Sequence, residues 1–373
     1  MNLLVQLNHP AHFHYYHLMI TTLMNNGHKV ITLIKSKDIL EDLVRDANIP
    51  YYNINTKQHR NNKLGILWDM IVRDFKILCI CIKERINLLT GSSSEVAHIG
   101  WLLRRLVVCT GEDDAKVIPM YVKCTAPFLG KERIRLCPTV CGSEGMDKYT
   151  VKYPSYHELA YLHPNHFTPD KSVVEKYFSA DEPYFILRFA KLNAHHDAGI
   201  QGINTEIAQR LIDILKPQGR IYITSERELE PQFEQYRIKI NPLDMHHVMA
   251  FASLYIGDSQ TMAAEAAVLG TPFVRFNDFV GRIGYLRELE DDYLLGYGIK
   301  ASEEGSVERL CNAVSELANL SPAERKERYQ NRRKKMLSEK IDYAKFLTWF
   351  IENYPDSKEL SMKADKEFWE GFR

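Results

Sequence analysis

The sequence has no excess of charge. Its 48 Lys and Arg balance 48 Asp and Glu over 373 residues, which removes any global attraction to nucleic acid or to an acidic membrane. It has no apolar run long enough to span a bilayer. Its start, Met1-Asn2-Leu3-Leu4-Val5-Gln6-Leu7, lacks the basic segment and the longer apolar core of a secretion signal. Cysteine is scarce and irregular: seven residues, an odd number without regular spacing, fit free thiols in a reducing cytosol rather than a disulfide framework. Cys137-x-x-x-Cys141, the close pair with turn residues between, reads as structural. Metal-ligand spacing is missing too, since His12, His14 and His17 at i, i+2 and i+5 do not share a helix face. No metal is expected. What is there, 45% hydrophobic and 26% charged residues, is the composition of a globular protein, and the length implies two domains.

The first half alternates strand and helix patterns. Asn2 to Leu7 reads as a buried strand, Phe13 to Asn26 as a helix closed by Gly27, His28 to Lys35 as a strand, Asp38 to Ala47 as a helix, and Ile49 to Ile54 as a third strand. This βαβαβ rhythm signals a parallel, doubly wound sheet. Lys63 to Leu88 is mostly helical, with Ile77 to Ile82 apolar enough for the core; a membrane-facing patch is the lesser reading. A strand into Thr90-Gly91-Ser92-Ser93-Ser94, a helix over Glu95 to Leu102, a strand over Leu106 to Cys109 and the acidic turn Gly111 to Asp114 follow. Tyr161 to Asp170, interrupted by Pro164 and Pro169, is the best linker. The domains therefore read as 1–163, 164–342 and a helical segment 343–373 whose Phe346, Trp349, Phe350, Phe368 and Trp369 need a surface to dock on. The second half repeats the architecture with strands at Tyr184 to Phe189, Arg220 to Ser225 and Phe273 to Phe276, and helices at Thr205 to Leu215 and Asp244 to Ala252. Ser321-Pro322-Ala323-Glu324 is a helix start, and the basic run Arg325 to Lys335 after it reads as a solvated face.

The stretch Leu254 to Pro272 organises the rest. Leu254-Tyr255-Ile256 is strand, Gly257-Asp258-Ser259 is turn, and Thr261 to Leu269 is an Ala-rich helix stopped by Gly270 and Pro272. Unpaired N–H groups and the dipole at such a helix start favour an anion. Glu265 lies one turn beyond Thr261 and could accept from two vicinal hydroxyls. A diphosphate at the turn and a ribose on Glu265 would make a nucleotide site. An ordinary βα unit with Asp258 or Ser259 as cap reads equally well from these residues alone.

Asp258-Ser259-x-x-x-x-x-Glu265-Ala266 with Leu269-Gly270-Thr271-Pro272 resembles the nucleotide-diphosphate loop of UDP-N-acetylglucosamine 2-epimerases and GT-B glycosyltransferases. The epimerase pattern carries two glycines where this chain has Gln260 and Thr261, and an acidic pair where it has Ala264-Glu265. With Asn8-His9-Pro10-Ala11-His12, Gly27-His28-x-Val30, Thr90-Gly91-Ser92 and Tyr161-Leu162-His163-Pro164-x-x-Phe167-x-Pro169, the chain resembles domain-of-unknown-function family 354, predicted GT-B glycosyltransferases. The resemblance implies a GT-B architecture: two Rossmann-like doubly wound α/β domains facing across a cleft, acceptor side first and sugar-nucleotide side second. It implies His12 as the base that deprotonates the acceptor, although Pro10-Ala11 replaces the usual glycine-rich loop. From the residues themselves, Glu112 or Asp113 could orient that histidine, and Arg188 could bind the diphosphate or form an interface salt bridge. Asp258, Ser259, Gln260, Thr261, Glu265 and Asn277 complete the expected donor site, with Asn8, His9, Ser92, Ser93 and His196 lining the cleft beside Asn193, His195 and Asp197.

The expected function is transfer of a sugar from a nucleotide-diphosphate sugar, a co-substrate rather than a cofactor, to a glycan or lipid-linked acceptor in surface polysaccharide synthesis. The expected place is cytoplasmic, with peripheral contact at the inner face of the membrane left open and no nucleic acid as partner. Two alternatives stand beside it: an epimerase using Glu112, Asp113 and Asp114 as acid and base, and a non-catalytic sugar-nucleotide-binding protein.

Overall fold

The structure, a computed structural model, describes residues 1–35, 39–54, 63–179, 181–190 and 202–373. The chain divides into two compact units, Met1–Tyr161 with Ile341–Arg373, and Leu162–Lys340. The first unit holds a parallel sheet of seven strands: β1 (Asn2–Leu7), β2 (Lys29–Ile34), β3 (Tyr51–Asn53), β4 (Leu88–Gly91), β5 (Leu106–Thr110), β6 (Arg133–Pro138) and β7 (Thr150–Tyr153), in the order β3-β2-β1-β4-β5-β6-β7. Its central strands β1, β2, β4 and β5 are rich in Val, Ile and Leu because both faces are covered. The chain steps one way from β1 to β3, crosses back, and then steps the other way. With right-handed crossovers, helices Pro10–Asn25 and Leu40–Asp46 fall on one face, and helices Lys63–Lys83, Ser94–Leu102 and Pro119–Thr125 on the other. Helix Tyr343–Glu352 packs on Pro10–Asn25, where Tyr343 and Tyr15 share a buried 2.7 Å hydroxyl contact. Phe346, Trp349, Phe350, Phe368, Trp369 and Phe372 gather into one aromatic cluster beside it.

The second unit is a parallel sheet of β8 (Tyr184–Phe189), β9 (Arg220–Ser225), β10 (Leu254–Gly257), β11 (Phe273–Phe276) and β12 (Gly296–Ile299), in the order β12-β11-β10-β8-β9. Strands β8, β9 and β11 and helix Thr205–Leu215 have the bounds that periodicity predicts. Ser321 makes the full capping box with Glu324 at the start of helix Pro322–Glu339.

Several expectations need correction. Strands β6, β7 and β12 were not anticipated: β7 reads Thr-Val-Lys-Tyr at a sheet edge and β12 reads Gly-Tyr-Gly-Ile, both too short and mixed to carry a period. The first helix begins at Pro10, not Phe13, because His9 caps it by accepting from the Ala11 N–H at 3.2 Å. The helix expected from Asp38 is Leu40–Asp46, and residue 38 lies outside the described residues. The basic run is not a uniformly solvated face. Arg325 is buried and donates to the carbonyls of Leu317, Ala318 and Leu320, closing helix Ser306–Asn319, while Arg333 donates to Val268 O at 2.6 Å.

Candidate active site

In an open parallel sheet the loops part where the strand order reverses, leaving a crevice beyond the carboxyl ends of the strands. In the second unit that point lies between β8 and β10, and in the first between β1 and β4. Most of the expected site residues follow these four strands.

In the second unit Gly257 ends β10 against β8. A Cβ there would lie 2.6 Å from the Tyr255 hydroxyl and 2.9 Å from Arg188 Cβ, so only glycine lets the strands approach. Asp258 follows, 3% exposed, and accepts from the Ala190 N–H at 2.6 Å. Burial pushes its carboxyl up to about 6. Asn277, fully buried after β11, donates to the Asp258 carbonyl at 2.8 Å and accepts from the Phe279 N–H at 2.9 Å, so it clamps the turn from below. Ser259 caps helix Gln260–Leu269, accepting from the Met262 N–H at 3.4 Å. The exposure changes abruptly here: Ser259, Gln260 and Thr261 are half-buried, and the helix from Ala263 to Leu269 is buried. The N–H groups of Gln260 and Thr261, in the first turn, have no acceptor within the helix. Glu265 is buried, its Oε1 3.0 Å from His246 Nε2. Arg188 forms an ion pair with Glu226, inside the unit, which neither sequence alternative anticipated.

In the first unit Gln6 ties the two key loops together. It accepts from Ser93 Oγ at 2.6 Å and donates to Asn8 Oδ1 at 3.4 Å. Gly91 pairs with Gln6, and a Cβ there would sit 2.9 Å from Gln6 Cβ. Ser92 Oγ lies 3.2 Å from Thr110 Oγ1, itself bonded to Tyr16. His12 Nδ1 accepts from the Asn8 N–H at 3.3 Å, which places the proton of the neutral ring on Nε2.

Glu112 pairs with a residue the sequence reading missed. Its Oε2 lies 3.2 Å from Nδ1 of His157, at the start of the short helix after β7, with 18% and 14% of the two side chains exposed. Burial, then Glu158 and Asp113, hold the Glu112 carboxyl well above the usual range. Burial, then His12 and Arg135, hold His157 well below it. The Asp113 carbonyl accepts from Arg135 at 2.8 Å, and Asp114 Oδ1 accepts from the Gly142 N–H at 2.7 Å. His157 was missed because the β5-β6-β7 pairing that brings it to Glu112 was not foreseen. Asn193, His195, His196 and Asp197 lie outside the described residues. Among the described residues no group of three or more His, Cys, Asp or Glu side chains could hold a metal ion.

No protein-family model matches the chain, and no curated protein does. Solved structures do. A spinosyn rhamnosyltransferase, solved with spinosyn aglycone, aligns at TM-score 0.62 and 14% identity over 95% of this chain and 100% of that one. The same enzyme with thymidine diphosphate aligns at 0.63 and 13% identity over the same shares. A Listeria monocytogenes protein assigned as a UDP-N-acetylglucosamine 2-epimerase aligns at 0.65 and 11% identity over 95% and 96%. The chain has the GT-B fold. At these identities the likeness establishes the fold alone.

Proposed function

We propose that this protein is a glycosyltransferase that moves a sugar from a nucleotide-diphosphate sugar to a glycan or lipid-linked acceptor in surface polysaccharide synthesis, working peripherally at the inner face of the membrane. The observation that carries the reading is the half-buried first turn Ser259–Thr261, at the reversal point of the second sheet, with Glu265 one turn further on. Backbone N–H groups and two hydroxyls there suit a diphosphate, and Glu265 suits the ribose. A carboxylate has about four acceptor positions, so the His246 contact leaves capacity for hydroxyls. Arg188 is assigned to the diphosphate, for which it must exchange Glu226, a partly exposed and therefore weak partner.

The acceptor oxygen forms a bond to the sugar's anomeric carbon as the bond from that carbon to the diphosphate breaks. The acceptor proton goes to a base, and the diphosphate leaves with the pair of electrons. Stabilising that leaving charge with preorganised dipoles is where such a site gains most of its rate. No step in this scheme uses a metal ion. His12 is assigned as the base. Since the Asn8 contact leaves the neutral ring's proton on Nε2, acting through Nε2 requires the proton to change nitrogen when the acceptor arrives.

A second reading, an epimerase, draws support from Glu112. A carboxyl that keeps its proton above the usual range is suited to act as a general acid. Incubating the full chain with sugar nucleotides separates the two. A transferase releases nucleoside diphosphate when acceptor is supplied and leaves the donor sugar's configuration unchanged without it. An epimerase changes the sugar of the intact donor with no acceptor present, and that result would replace the transferase reading.

A further inference from the structure

One surface of the first unit is unexplained by donor or acceptor chemistry. On helix Lys63–Lys83 the side chains of Trp68, Ile71, Phe75, Cys79 and Ile82 are exposed. Their spacing of three and four residues lines them up along one side of the helix. Trp68 is 58% exposed and Phe75 65%. The neighbouring helices on the same sheet face continue the strip, with Trp101 and Leu102 at the end of Ser94–Leu102 and Met120 on Pro119–Thr125.

Exposed cations gather at the C-terminal ends of these three helices. Lys83, Arg85, Arg104, Arg105 and Lys123 are exposed. Among the described residues of these three helices and of turns 84–87 and 103–105, no carboxylate is exposed: Asp69 and Glu95 are buried, Asp74 pairs with His98 at 2.9 Å, and Glu84 pairs with Lys29 at 2.7 Å. Two of the cations occupy costly positions. Arg85 (φ 54°) and Arg104 (φ 51°) stand in the left-handed conformation just past the ends of their helices, where glycine is the usual residue. The helix dipole favours a cation near these ends, yet a cation one turn earlier would serve it without backbone strain.

We propose that this three-helix face docks on an anionic lipid surface, with Trp68, Phe75 and Trp101 entering the headgroup region and the arginines and lysines meeting lipid phosphates. Aromatic side chains flanked by cations match that interface. A second copy of the chain fits less well, because a two-fold contact through this face would set its cations against one another with no exposed carboxylate among the described residues of the three helices to offset them. The proposal rests on the peripheral placement proposed above and not on the donor site. Partition into vesicles requires neither nucleotide nor turnover, so its failure would leave the donor reading untouched.

The test is co-sedimentation of the full chain with phosphatidylcholine vesicles, with and without phosphatidylglycerol. The expected result is binding to the anionic vesicles, release by salt, and no binding to phosphatidylcholine alone. Arg85→Gly with Arg104→Gly should weaken binding about twenty-five-fold, about five-fold per cation, with the melting temperature unchanged or raised because glycine suits those backbone angles. Trp68→Ser with Phe75→Ser should weaken it about tenfold or more. The proposal is overturned if neither vesicle binds, if both bind equally, or if the paired variants bind like the parent. It is overturned equally if the face instead holds a dimer in sedimentation velocity that Phe75→Ser disperses.

Discussion

The turn after β10 and the turn after β5 both bury a carboxyl but give it different partners. After β10 the polar side chains are sunk beneath the turn: Asp258 holds Ala190, Asn277 holds Asp258, and Glu265 meets His246. What that turn offers to solvent is backbone N–H and the hydroxyls of Ser259 and Thr261. After β5, Glu112 and His157 face each other largely buried, each shifted toward its neutral form. One turn opens a helix capped by Ser259, and the other sets a carboxyl against an imidazole.

The strongest test of the sunken clamp is Asn277→Ala. It leaves the Asp258 carbonyl and the Phe279 N–H buried without their partner, which should cost about 3 kcal/mol of stability in chemical denaturation. A loss under about 0.5 kcal/mol would mean the turn is not clamped from below. Asp258→Asn comes next. The folded carboxyl titrates at about 6 against an unfolded value of 3.8, so the folded chain binds the proton more tightly, and wild-type stability attributable to this group is lost as pH rises from about 4 to about 6. The variant should therefore gain on the wild type by about 2–3 kcal/mol between those limits, read from paired denaturation curves. Glu112→Gln tests the other turn with the same sign. Its raised carboxyl favours the folded chain below the ordinary value of 4.5 and loses that contribution as pH rises toward its folded value. The variant should lack this decline, and an unchanged pH profile would mean that the fold does not hold the Glu112 carboxyl in its neutral form. Ser259→Ala is the smallest effect. The 3.4 Å cap is long, so its loss should cost about 0.5 kcal/mol of stability while weakening nucleoside diphosphate binding more than that.

The fold was legible wherever a period was strong and local. Tyr184–Phe189, Thr205–Leu215 and the strand–turn–helix from Leu254 could be read because each carries its own apolar pattern, stop signal and cap. The roles of single side chains were legible only where the partner was near in sequence, as for Ser259 and Ser321. Glu112 finds His157 through three paired strands, Glu265 finds His246 from nineteen residues away, and Arg325 turns inward to a helix end. Such contacts depend on strand order and helix packing, which a residue pattern does not encode. An outward apolar strip on helix Lys63–Lys83 was only the lesser reading of its sequence for a related reason. An apolar helix in an α/β series reads as core, and its outward side is told from its inward side only once its neighbours are in place.

The most direct test of the donor assignment is titration of the full chain with nucleoside diphosphates and their sugars, followed by melting temperature, beside Glu265→Ala and Ser259→Ala. A ligand at a hundredfold its dissociation constant adds about 2.7 kcal/mol of stability. The account predicts that at least one diphosphate raises the wild-type melting temperature and fails to raise that of Glu265→Ala. If no nucleotide shifts the wild type at millimolar concentration, or if Glu265→Ala responds as the wild type does, the Gly257–Glu265 turn is not a donor site.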